Sequence, residues 1–249
     1  MGAERSRAQA APRTAVVWQV LRAELDRRPG ASLSVVDVGG GTGGFAVPLA
    51  EAGHRVTVVD ASPDALAALS RRAADAGVAA RVTAVQGDAD ELPAVVPGAS
   101  ADLVLCHSLL EVVDDPAKVA ASLAAILAPG GAASVLVANR AAAVLSRAVG
   151  GHLSAATTLM SNVDGVESGP PGGPRRRYDT GTVTALLTGA GLTVERVHGV
   201  RVVADLVPGA LLDLEAGSTD ALVAFELAAA ARPPYRDIAT QLHVLARRG

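Results

Sequence analysis

Between residues 33 and 139, strand-like apolar runs alternate with helical patterns, and this rhythm limits the fold more than any other property of the chain. "LSVVDV" (33–38), "HRVTVVD" (54–60), "ARVTAVQGD" (80–88), "ADLVLCH" (101–107) and "AASVLVAN" (132–139) read as five strands. Helical patterns over "GFAVPLAEAG", "SPDALAALSRRAADAG" and "PAKVAASLAAIL" lie between them. Strands rich in Val, Leu and Ala without polar alternation are covered on both faces, so the pattern implies βαβ units wound into one parallel sheet. Local punctuation fixes the helix limits: Ser62 stands as an N-cap before Pro63, Asp115 as a cap before Pro116, and Gly77 at a closing position. "APGG" (128–131) reads as a turn leading into the fifth strand.

After Asn139 the rhythm breaks. A helix over 141–150 is followed by "SNVDGVESGPPGGPRRRYD" (161–179), expected to be a mobile surface loop without regular structure. A helix (180–191), a strand (192–203), a helix (219–231) and a last strand (237–247) finish the chain. At 249 residues, half of them hydrophobic, the chain is expected to be one domain over 1–249. It would comprise an N-terminal helical segment (1–30), a cofactor-binding core (31–139) and a C-terminal half (140–249) carrying a substrate cap.

The first strand runs into "DVGGGTGGF" (37–45). Gly39, Gly41 and Gly44 satisfy the G-x-G-x-x-G dinucleotide fingerprint, and Asp60 lies about twenty residues further on. Glycine is required where backbone approaches a ligand closely and turns into a helix, a reason that serves several ligands equally. Asp37 discriminates between them. A carboxylate two residues before the first glycine repels a pyrophosphate and favours a cationic aminoacyl group. Asp60, ending the second strand, can accept both ribose hydroxyls. Asp88, ending the third, can accept from an adenine amino group, with the backbone N–H of Ala89 reaching the ring nitrogen beside it. Singly, the glycines could be a tight turn, Asp60 a helix cap and Asp88 a turn former. In register on consecutive strand ends they read as one nucleoside site.

These motifs, followed by "LCHSLLEVVDDP" and the "LAPGG" turn, resemble the class I S-adenosylmethionine-dependent methyltransferases over roughly residues 33–139. The D-x-G-x-G-x-G motif falls on Asp37, Gly39, Gly41 and Gly43. The resemblance implies an α/β, Rossmann-like fold: a seven-stranded, mostly parallel sheet with its last strand antiparallel, helices on both faces and a C-terminal cap insertion. It also implies S-adenosyl-L-methionine as cofactor, S-adenosyl-L-homocysteine as product, and no metal. Through "RTAVVWQVL", "CHSLLEVVDDP", "GVRVV" and "LHVLARR" the chain is most similar to the bacterial tRNA 5-carboxymethoxyuridine methyltransferases, which methylate the carboxylate of a modified wobble uridine. That likeness implies Arg13 on the cofactor carboxylate, Trp18 packing the N-terminal helix across the site, and a basic loop of Arg175, Arg176 and Arg177 facing tRNA.

An acceptor that is already a carboxylate needs no catalytic base at neutral pH, and no His/Asp or Cys/His dyad stands out. It does need a cation. Arg201, inside the apolar "HGVRVVAD", is the candidate, with an outward-facing edge residue as the alternative reading. His107 either contacts the cofactor's methionine part and acts near the methyl group, or is a strand-end histidine satisfied by backbone. Tyr178, Tyr235 and His243 are weaker candidates for the same pocket, with core packing as the other role. Glu111, Asp114 and Asp115 read as solvated surface and helix capping. Cys106 reads as a buried apolar residue.

A net charge of −3 excludes a broad nucleic-acid footprint and leaves room for a local one. One cysteine excludes an intrachain disulfide framework or a thiolate zinc cluster and fits a reducing compartment. The charged N-terminus has no apolar stretch behind it, and no run approaches a membrane span, so a cytoplasmic protein is expected. The acceptor is then tRNA or a small metabolite. A non-catalytic nucleoside binder is a third reading. An NAD-linked oxidoreductase is disfavoured by Asp37 and by the lack of a hydride-handling set.

Overall fold

The computed structural model describes residues 11–162, 165–167, 175–212 and 217–249. Helix α1 (Ala15–Leu25) is followed by β1 (Ser34–Val38), α2 (Ala46–Glu51), β2 (Arg55–Asp60), α3 (Pro63–Asp75), β3 (Val82–Gln86), α4 (Leu92–Val95), β4 (Ala101–His107), α5 (Pro116–Ile126) and β5 (Leu127–Ala138). Then come α6 (Arg140–Val149), α7 (Leu153–Ser161), β6 (Val166–Glu167), β7 (Arg175–Arg176), α8 (Thr180–Gly189), β8 (Leu192–Val200), α9 (Gly209–Leu212), α10 (Ser218–Ala229), α11 (Tyr235–Ile238) and β9 (Gln241–Arg248).

Seven strands form one mostly parallel sheet in the order β3-β2-β1-β4-β5-β9-β8. The pairs β1–β2, β1–β4, β2–β3 and β4–β5 are all parallel. Burial explains which strands sit inside. Val35, Val36 and Val38 of β1 and Leu103, Val104, Leu105 and Cys106 of β4 are all buried, as continuous apolar strands must be. The edge strands β3 and β8 carry exposed Thr83, Gln86 and Arg196, which discourage pairing with another chain. The last strand in sequence, β9, is buried over Leu242–Ala246 and inserts between β5 and β8.

The capping chemistry forms as expected. Ser62 accepts from Ala65 N–H at the start of α3, and Asp115 accepts from the N–H groups of Ala117 and Lys118 at the start of α5. Gly77 takes the left-handed conformation beyond α3, where its N–H and that of Val78 reach back to Ala74 and Ala73.

Five expectations are corrected. The "APGG" turn is absorbed into β5, where the register with β4 shifts between Ala101↔Leu127 and Leu103↔Ala132; a Cβ on Gly131 would lie 2.8 Å from Ala101 O, and the extra residues leave as a bulge. The stretch 161–179 is not wholly irregular, because Val166–Glu167 pairs antiparallel with Arg175–Arg176 across the Gly/Pro segment; residues 168–174 lie outside the described chain. Glu111 is buried rather than solvated, while Tyr235 is exposed rather than packed in the core. Arg201 falls just beyond β8 rather than inside it, at φ +60°.

By its internal contacts the chain divides into two compact units. One holds Glu24–Leu136, Thr184–Glu195 and Val244–Gly249; the other holds Val137–Val183 and Arg196–His243 together with the chain up to Ala23. The motifs of residues 37–107 lie in the first unit. Those around Arg13, the arginine run and Arg201 lie in the second. In the first unit Arg247 is gripped between Glu24 (2.8 and 3.0 Å) and Glu195 (2.6 and 3.0 Å), with Gly130 O at 2.9 Å. Among the described residues no helix is long and apolar enough to cross a membrane.

Candidate active site

Strand order reverses between β1 and β4, and ligands of such sheets sit beyond the carboxyl ends of the strands there. The glycine loop follows β1 at that point. Gly39, Gly41 and Gly43 have φ of +69°, +54° and +81°, whereas Gly44 is not left-handed. A Cβ on Gly43 would lie 2.3 Å from Leu69 Cδ1; one on Gly44 would meet nothing within 4 Å. The backbone thus needs the glycines of D-x-G-x-G-x-G and not the third glycine of the dinucleotide fingerprint. A Cβ on Gly39 would crowd Leu109, which follows β4, at 3.2 Å, so strand-end segments of β1 and β4 are closely fitted.

Asp60 stands at the end of β2, where one carboxylate oxygen accepts Gly41 N–H and the other accepts Ser62 N–H, both at 2.9 Å. It therefore organises the loop, with remaining lone pairs for a ribose diol. Beyond Gly41 the space is open: an added Cβ would find only Asp60 Oδ2, at 4.0 Å. Asp88 is exposed at the end of β3, before a short 3-10 turn over Ala89–Glu91, and its side chain caps nothing. Ala89 is half-buried beside it.

Asp37 is 3 % exposed and lies beneath the loop, so that a Cβ on Gly40 would come within 2.6 Å of its carboxyl group. Burial pushes its pKa up to about 7, with the Asp60 charge adding to the effect. It thus keeps its proton up to near neutral pH under the loop, rather than standing as a fixed anion facing solvent. A cationic ligand nearby favours its ionised form.

His107 ends β4 with Nε2 2.9 Å from Ser134 Oγ on β5, and its ring meets Phe45 edge-on at 4.7 Å between centroids. A side chain of the neighbouring strand thus contributes to holding it. Burial lowers its pKa to about 4, so the imidazole is neutral at physiological pH. Cys106, beside it in sequence, is fully buried, and burial pushes its thiol far above the ordinary range. This agrees with an inert packing role.

In the second unit, two arginines that the sequence singled out for different carboxylates share one partner. Asp205 Oδ1 lies 3.2 Å from Arg13 Nε and Asp205 Oδ2 lies 3.3 Å from Arg201 Nη1. The Arg201 side chain is 24 % exposed, yet its Nε is buried with no hydrogen-bond partner. Its backbone is left-handed, which costs a non-glycine residue on the order of 1–2 kcal/mol. Such strain persists only where the surroundings enforce it. Trp18 is buried on α1 and His243 on β9, the latter with its ring centroid 5.9 Å from that of His198. Tyr178 is buried too, its N–H bonded to Ala138 O. Arg175 is exposed on β7, with Arg176 and Arg177 half-buried.

Three residues escaped the sequence reading. Ser134 was visible only as the lone hydroxyl in an apolar strand, Asp205 as an acid four residues after Arg201, and Glu226 as an acid in the alanine-rich half of a helix. Each needs the fold to give it a partner. Among the described residues, no group of three or more His, Cys, Asp or Glu side chains is placed to hold a metal ion.

The loop and strand-end acids are compatible with S-adenosylmethionine: a Cβ on Gly41 would meet nothing nearer than Asp60 Oδ2 at 4.0 Å, Asp60 has lone pairs left beyond its two backbone bonds, Asp88 is spent on no cap, and Asp37 lies buried under the loop. Residues 35–131 match the methyltransferase domain family. The tRNA 5-carboxymethoxyuridine methyltransferase of Escherichia coli (strain K12) is 28% identical over 95% of this chain and 88% of its own length. A ubiquinone biosynthesis O-methyltransferase from Xylella fastidiosa is 30% identical over 70% of this chain and 67% of its own. Among solved structures, an S-adenosylmethionine-dependent methyltransferase from Mesorhizobium loti superposes with a TM-score of 0.61 at 23% identity, covering 94% of this chain and 98% of that one. A sheet wound in this order, a loop whose left-handed glycines fit only one of two overlapping motifs, and relatives that span the chain lead to one family: this protein belongs to the S-adenosylmethionine-dependent methyltransferases.

Proposed function

We propose that the protein transfers the methyl group of S-adenosylmethionine to a carboxylate oxygen of 5-carboxymethoxyuridine in tRNA, in the cytoplasm, with its two units working as one methyltransferase domain. The observation that carries the acceptor chemistry is Arg201, a guanidinium with one N–H buried and unpartnered. Carboxylates are the natural partners of such a fork. The relative that matches over nearly its whole length supports the tRNA assignment. Arg175, Arg176, Arg177 and Tyr178 would meet the RNA locally, which suits a chain of net charge −3.

The bound sulfonium supplies an electrophilic methyl group, so that a carboxylate oxygen gains the methyl as an ester and a neutral thioether remains. Asp60, Asp88 and the Ala89 N–H would hold the nucleoside, Asp37 the charged amino-acid end, and Gly39, Gly41 and Gly43 the close backbone contacts. Arg201 would orient the acceptor. Neutral His107 would shape the space without moving a proton. The barrier falls through positioning and exclusion of water.

Incubation with isotopically labelled cofactor and tRNA bearing 5-carboxymethoxyuridine tests the reading. Label in tRNA that is released by mild base, as an ester would be, is the expected result. Stable label in a metabolite extract and none in tRNA would replace tRNA by a small acceptor. That second reading is favoured by the acidic balance of the chain and by the ubiquinone-pathway relative.

A further inference from the structure

Glu226, on α10, is fully buried, and its carboxylate is spent entirely on the backbone of the turn that follows β8. One oxygen accepts Val202 N–H at 2.8 Å; the other accepts both Val203 N–H and Ala204 N–H at 2.8 Å. The turn so gathered begins at Arg201, in its left-handed conformation, and ends at Asp205, the partner of Arg201 Nη1. On its other side, Arg201 O accepts Thr240 N–H at 3.1 Å.

A turn with three consecutive N–H groups pointing inward is unfavourable unless an acceptor waits there, since each buried donor left unpaired costs about 1–3 kcal/mol. One carboxylate satisfies all three and offsets the strain at Arg201. We infer that Glu226 is the positioning residue of the acceptor site: it fixes the turn 201–205, and through it the direction of the Arg201 guanidinium. Glu226 itself touches no reactant. The inference rests on the reading of Arg201 as the acceptor's anchor and adds the device that holds it.

Glu226→Gln keeps the volume of the side chain but turns an NH2 toward at least one of the three N–H groups. In the full-length protein we expect a cooperative melt, an affinity for S-adenosylhomocysteine within about twofold of the parent, and a KM for tRNA bearing 5-carboxymethoxyuridine raised roughly tenfold. Combined with Arg201→Ala, it should cost no more than Arg201→Ala alone, because both remove one orienting device. A multiplicative loss in the double variant, or an unchanged KM in the single one, would overturn the inference. The exchange rate of the Arg201 Nε–H, assigned by its disappearance in Arg201→Lys, gives a readout independent of the acceptor. It should rise in Glu226→Gln, and an unaltered rate overturns the inference whatever the substrate. If Glu226→Gln does not fold, Glu226→Asp, which retracts the charge by one methylene, is read in the same way. Loss of effect in Arg201→Ala would strike the anchor reading; an effect there with none at Glu226 would strike only this one.

Discussion

Asp60 accepts the backbone N–H of Gly41 at 2.9 Å, joining the end of β2 to the middle of the glycine loop that follows β1. The residue expected to hold a ribose also holds the backbone of the glycine loop. Asp60→Ala should therefore abolish measurable binding of S-adenosylhomocysteine by calorimetry and also lower the melting temperature. A variant that lost binding at unchanged stability would separate the two roles and show that the Gly41 bond contributes little.

Gly43 and Gly44 are adjacent letters with opposite requirements. Gly43→Ala forces a left-handed alanine against Leu69 and should destabilise by about 2 kcal/mol or more. Gly44→Ala adds a methyl to open space and should change stability by less than about 0.5 kcal/mol. Urea titration of both variants decides the motif register. Equal costs would contradict it.

Asp37 ties stability to pH. Its ordinary pKa is 3.8 and its folded value about 7, so between these the folded state keeps a proton that the unfolded chain has lost. Its contribution to stability is complete below about pH 4 and declines as pH rises to about 7. Buried His107, lowered from 6.5 to about 4, acts in the opposite direction, since the unfolded chain then binds the extra proton. In Asp37→Asn the first effect disappears and the second stays. Denaturation at pH 5 and pH 8 should show the variant gaining on the parent at the higher pH. Calorimetry near pH 7, in buffers of different ionisation enthalpy, should show more proton release on cofactor binding in the parent than in the variant.

Arg201→Ala should leave cofactor affinity within about twofold and lower kcat/KM for the acceptor by about one to two orders of magnitude, as expected for loss of a charge-assisted hydrogen bond of about 1.5–3 kcal/mol. Intact turnover would remove Arg201 from the site.

Arg247 is a separate, structural case. Its removal would take from Glu24 and Glu195 the guanidinium they share, leaving Glu24 with Arg27 at 3.9 Å, and Arg247→Ala should cost about 2–4 kcal/mol by thermal or chemical denaturation. Arg247→Lys cannot reproduce the two-sided fork and should recover only part of that loss.

Local chemistry was legible in the chain. Ser62, Asp115 and Gly77 cap where short-range hydrogen bonding demands, and the runs through β1, β2 and β4 form strands because continuous Val and Leu must be covered on both faces. The acids at strand ends were legible for the same reason, as a strand's length places its last residue. Other features depend on partners far away in sequence. Whether Gly43 or Gly44 is essential depends on Leu69, the carboxyl pKa of Asp37 on burial beneath Gly40, and the hold on His107 on Ser134. Only the tertiary structure inserts β9 between β5 and β8, brings Arg13 and Arg201 to one aspartate, and turns Glu226 from an acid in an apolar helix into the acceptor for three backbone groups. Spacing along the chain encodes hydrogen bonds within a few residues; pairing across tens of residues is decided by how the sheet closes and what it buries.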